Sequence, residues 1–131
     1  MDATRTVRDY YDALRAGDPL GPYFAETEDL VKFGVGERLA GPTTVREGLR
    51  EQTARTTDWT VESDALRVTD RGCHAWFSDD VFLAWTDTEV GVRFEFDTRW
   101  SGTLERRGDD GPDEDGDWRF VGMHVSVPSE V

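Results

Sequence analysis

Lysine is almost missing from this chain. Of its 15 basic residues 14 are arginine and one, Lys32, is lysine, against 28 Asp and Glu, which leaves a formal net charge of -13. Phosphate neutralisation needs basic side chains in excess, so nucleic acid is not expected as a partner, and anionic membrane surfaces are disfavoured for the same reason. A surface dense in carboxylates and poor in lysine suits a salt-rich cytoplasm, where counterions screen the self-repulsion. A halophilic, cytoplasmic protein is the expectation. Cysteine is equally scarce: Cys73 stands alone, so no intrachain disulfide forms and no oxidising compartment is required. Long apolar runs are absent too. The longest stretch without a formal charge is nine residues, Val121 to Ser129, and MDATRTVRDYYDALRAGD at the start lacks the apolar run of a signal peptide. Neither secretion nor a membrane span is expected.

The scarcity extends to metal ligands. Zinc usually wants His and Cys, and the chain has only His74, His124 and Cys73, of which the adjacent Cys73 and His74 point to opposite faces of a strand. The stretch GDDGPDEDGD, residues 108 to 117, holds six acids in ten positions. An EF-hand register centred on Gly116 puts glycine at the first ligand, Gly111, and at the required glutamate, Gly122, so a solvated acidic turn is the better reading. No metal and no cofactor is expected.

What remains is enough for one domain, residues 1–131, with one core. Val7, Tyr10, Tyr11 and Leu14 recur at spacings of three and four, with Asp2 as a cap and Gly17 as a stop, which predicts an amphipathic helix. PLGPYFA, residues 19 to 25, reads as a short helical turn delivering Tyr23 and Phe24 to the core. LVKFGV, residues 30 to 35, alternates like a strand, and ERLAG pairs with it. Pro42 and the capping-box spacing of Thr44 and Glu47 open a second helix, residues 42 to about 56, with Val45 and Leu49 facing the core. From Trp59 onward, β-branched and aromatic runs broken by turn signals predict four antiparallel strands, roughly 59 to 69, 73 to 86, 89 to 106 and 118 to 127. Strands of that length imply a strongly bent sheet wrapping the helices, an α+β fold.

The order TVRDYYDALRAGDPLGPYFAE, FGVGERLAGPTTVREGL, CHAWFS and DGDWRFVGMHVSVP resembles the SnoaL-like group of the nuclear-transport-factor-2-like superfamily, over essentially the whole chain. The resemblance implies a cone-shaped fold, a bent antiparallel sheet cupping N-terminal helices around a pocket, and a homodimer through the outer sheet face. It is also a resemblance to steroid isomerases and to the association domain of calmodulin-dependent kinase. In the isomerases a tyrosine of the first helix donates to the developing enolate, and that position matches Tyr10, whose alternative is a core tyrosine. The general base falls on Phe33, which cannot take a proton, and the second donor falls near Ser101 or Gly102, which carry no carboxyl group. Asp97 lies in the same strand and replaces that donor only in a different register.

In the last strand Trp118, Phe120, Gly122, His124 and Ser126 share one parity, and Val121, Met123, Val125 and Val127 the other. The relatives place Met123, Val125 and Val127 toward the pocket. His124 then points outward into the dimer face, the alternative being a site-lining histidine. A strand apolar on one face and aromatic on the other is buried on both sides, and a partner chain is the simplest cover. Arg93, Glu95, Asp97 and Arg99 form either a charge ladder on one face or, through Arg99, a bidentate holder for a ligand carboxylate inside the cone. Trp76, Phe77, Phe82, Trp85 and Trp100 are either core or an aromatic wall for a flat ligand. The expected pocket lining is thus Tyr10, Phe33, Trp76, Trp85, Arg99, Met123 and Val125. Three functional classes follow: a homodimeric pocket protein for a small, mostly apolar molecule; an isomerase, cyclase or dehydratase using Tyr10 with Asp97 or His124; and a dimerisation module with a filled cone.

Overall fold

The computed structural model describes residues 1–129. Helix α1 spans Ala3–Ala16 and turns Ala3, Thr6, Val7, Tyr10, Tyr11, Ala13 and Leu14 inward. Its ends follow from sequence chemistry. The Asp2 carboxylate accepts from the Arg5 amide at 2.8 Å, and Gly17 closes the helix in the left-handed region, φ 73°, which a glycine reaches without steric cost. A 3-10 turn at Gly21–Tyr23 then lays Phe24 into the core. Helix α2, Pro42–Arg55, buries Val45 and Leu49. Its start differs from the expectation: Gly41 is the cap and Thr44 and Glu47 form no capping box, because Pro42 already occupies the first helical position.

The strands are β1 Val31–Gly34, β2 Glu37–Ala40, β3 Thr56–Ser63, β4 Arg67–Asp70, β5 His74–Asp87, β6 Val92–Gly108, β7 Gly111–Pro112 and β8 Asp117–Ser126. They make one curved, unclosed sheet in the order β2-β1-β8-β6-β5-β3, with β4 beside β5 and β7 beside β6. All pairings are antiparallel except β1 with β8. The helices lie against the concave face, in an α+β cone. The predicted strand 59 to 69 is two strands. Asp79, opposite the break, accepts from Ser63 Oγ at 2.6 Å and from the Ala65 amide at 2.9 Å, so its carboxylate holds the bend.

Two bulges shape the concave face. In β8, Phe120 pairs with Leu104 and Gly122 with Thr103, leaving Val121 as an extra residue. The bulge reverses the parity, so Trp118 and Phe120 face the core together with Met123 and Val125, and all four are buried. The expectation of a last strand aromatic on one face and apolar on the other is corrected accordingly. In β3, Asp58 and Trp59 together oppose Trp85, with Asp58 at φ 54°. Where β8 crosses β6 the approach is tight: a Cβ on Gly102 would stand 2.6 Å from both the Gly122 carbonyl oxygen and a Phe77 ring carbon.

Candidate functional site

A cleft of about 310 Å³ opens between α1, α2 and the concave sheet, near the small end of the volumes that hold ligands. One wall is apolar: Leu14, Leu83, Trp59, Trp85, Trp100 and Val125. The β3 bulge aims Trp59 at Trp85, and the two indoles stack 4.9 Å apart at 21°. Trp59 is fixed there by its indole N–H, which donates to Thr56 Oγ1 at 2.9 Å. Trp100 is fixed similarly, donating to Thr98 Oγ1, which in turn donates to the Val81 carbonyl. Rotamers locked in this way give the cleft a rigid aromatic side.

The polar side includes Tyr10 and Lys32 inside, Gln52 and Thr56 from the end of α2 and the start of β3, and Glu37, Glu51 and Arg55 around the opening. Tyr10 is buried, with its ring edge-on to Tyr23, Phe24, Trp100 and Phe120. Its hydroxyl has no hydrogen bond among the described residues. Burial first, and the nearby Glu37 carboxylate second, push its ionisation well above the ordinary tyrosine range, so the group is a neutral donor at any physiological pH. Lys32 is 5 % exposed, and its Nζ stands 3.0 Å from Glu37 Oε1. Arg55 is held away from the interior by Asp87 and Glu89.

The positions proposed from sequence separate into two groups. Tyr10, Trp85 and Val125 line the cleft. Met123 faces inward but is buried in the core below it. Phe33, Trp76 and Arg99 belong to the convex face, where Phe33 is 37 % and Trp76 44 % exposed. Their placement as pocket residues is corrected. Register is the reason. The parallel pairing sets Lys32 beside the inward Met123 and Phe33 beside His124, whose rings approach to 5.1 Å. In β6 the buried Thr98 and Trp100 fix the inward parity, which turns Asp97 and Arg99 to solvent. His124 is exposed on the same outer face. Tyr10 therefore meets neither Asp97 nor His124, which lie across the sheet from it. Phe77 is core, and Phe82 is half-buried on the convex side.

Residues 4–130 match the family of SnoaL-like domains. The chain belongs to that family. Among solved structures it is similar to a nuclear transport factor 2 (NTF2-like) superfamily protein from Salmonella enterica, at 19 % identity and TM-score 0.78, over 98 % of this chain and 89 % of the other. A candidate dehydratase of the NTF2-like family from Streptomyces avermitilis gives 16 % identity and TM-score 0.78, over 97 % and 94 %. A ketosteroid isomerase-like protein from Erwinia carotovora gives 17 % and 0.71, over 97 % and 94 %. At these identities the likeness is one of fold. No curated protein matches the sequence.

The sequence reading missed Lys32, Glu37 and Trp59. The signal for the first was present: the chain's one lysine stands inside an apolar strand, LVKFGV. Trp59 depends on a bulge that no periodicity announces.

Proposed function

We propose that this SnoaL-like domain is a pocket protein that binds a small, flat, mostly apolar molecule in the cleft between α1, α2 and the sheet. The observation that carries the reading is the aromatic wall of Trp59, Trp85 and Trp100, which lines one open cleft together with Tyr10, whose hydroxyl is unspent. Apolar walls with a few fixed polar groups are what small-molecule sites are made of. The binding reading is favoured over catalysis by Tyr10 with Asp97 or His124 because the latter two are exposed on the opposite face. A homodimer through that convex face belongs to the same reading. Ser78, Ser101 and Thr103 form a shallow strip there, bordered by the exposed rings of Phe33 and Trp76, and small residues let a second sheet approach closely.

Titration with the neutral probe 2-naphthamide, followed by tryptophan fluorescence, tests the pocket. Saturation at one probe per chain is expected, with the signal lost when Leu39→Trp fills the cleft. Unsaturable quenching that Leu39→Trp leaves unchanged would contradict it.

A further inference from the structure

The chain uses arginine at every basic position but one, and the exception is inside the cleft. A structural ion pair does not call for lysine, since the guanidinium fork matches a carboxylate better. Lysine differs in being compact and in having three donors on one nitrogen. In Lys32 one donor meets Glu37 Oε1 at 3.0 Å, and the others have no acceptor among the described residues. The side chain is only 6 % exposed, whereas that of Glu37 is 43 % exposed at the rim. A buried ammonium with one outlying partner is under-satisfied. The Tyr10 hydroxyl lining the same cleft is likewise without a hydrogen bond, so two buried side chains present unspent donors to one space.

Resting on the pocket reading above, we infer that the ligand is a flat aromatic carboxylate whose anionic oxygen accepts from Lys32, with its ring system against Trp85 and Trp100. Charge-assisted bonds to an ammonium are among the stronger available to a ligand. Glu37 competes with the ligand for Lys32 and so lowers affinity, while giving the empty site a partner for its cation. A cationic ligand is disfavoured because Lys32 repels it and Glu37 is already neutralised.

Three probes on one ring system test this: 2-naphthoate, the neutral 2-naphthamide and 2-naphthylmethylammonium, titrated against the whole protein and its Lys32→Met, Lys32→Arg and Glu37→Gln variants. The naphthoate should bind about tenfold or more tighter than the amide. Lys32→Met should erase that advantage while the amide binds as before, which also shows that the variant's cleft is intact. Lys32→Arg should retain part of the preference, and Glu37→Gln should strengthen naphthoate binding. Equal affinities in the native protein, an advantage surviving in Lys32→Met, or tightest binding of the ammonium probe would overturn the inference while leaving a pocket in place. Failure of all three probes would overturn the pocket itself. If Lys32→Met does not fold, Glu37→Gln decides: unchanged or weaker naphthoate binding overturns the role of Lys32.

Discussion

The hydroxyl of Tyr11 donates to the Asp79 carboxylate across 2.8 Å, joining the middle of α1 to the middle of β5 inside the core. Asp79 is 4 % exposed, and its two oxygens also receive the Ser63 hydroxyl and the Ala65 amide. One carboxylate thus fixes both the bend between β3 and β4 and the seat of the helix. Because Tyr10 immediately precedes Tyr11 in α1, the same contact sets where its ring stands over the cleft.

Asp79→Ala should therefore destabilise the fold by about 2 kcal/mol or more, since the buried Tyr11 hydroxyl and two partly exposed donors, Ser63 and the Ala65 amide, lose their acceptor. Tyr11→Phe should cost about 1 kcal/mol, the share of one bond. Denaturant unfolding of both single variants and the double should show less than the sum, because the two residues share the interaction. Additive losses would contradict the coupling.

Alkaline pH provides a second test. Burial raises the ionisation of Tyr10, Tyr11 and Tyr23. A group held protonated in the fold contributes stability that is fully present below its unfolded value, about 10, and that is lost as pH rises toward the folded value. Tyr10 and Tyr11, the two buried deeply, each lower the unfolding free energy by about 1.4 kcal/mol per pH unit in that window. With one lysine in the chain, few other groups titrate there. Tyr10→Phe and Tyr11→Phe should each remove about one proton from the slope. A stability profile flat above pH 10 would refute the assignment.

The convex face predicts an oligomer that a single substitution breaks. Ser101 is exposed at the centre of the strip between His124 and Ser78, its cross-strand neighbours. Ser101→Arg should shift the sedimentation mass from a dimer to a monomer without lowering the chain's helix and strand content. A native chain already monomeric at all concentrations would contradict the dimer face.

The -13 charge predicts a salt requirement. Melting temperature should rise from low to molar potassium chloride, by several degrees for each kcal/mol gained. Equal stability across that range would remove the case for a halophilic setting.

Much of this architecture was legible in the sequence because helix signals are local. The spacing of Val7, Tyr10, Tyr11 and Leu14, with Asp2 and Gly17 at the ends, defines α1 almost to the residue. The site was less legible because it depends on which way strands face. One extra residue at Val121 reverses the faces of Trp118 and Phe120, and the parallel pairing of β1 with β8 decides that Lys32 rather than Phe33 points inward. Asp79 carried a readable signal, an acid at the same parity as Phe77, Val81 and Leu83.

The most direct test of the account is the crystal structure of the protein grown with saturating 2-naphthoate. The account predicts the ring against Trp85 and Trp100 and the carboxylate within hydrogen-bond distance of Lys32 Nζ, with Glu37 displaced toward solvent. A probe bound elsewhere while the cleft stays empty, or seated in the cleft with its carboxylate turned away from Lys32, would contradict it.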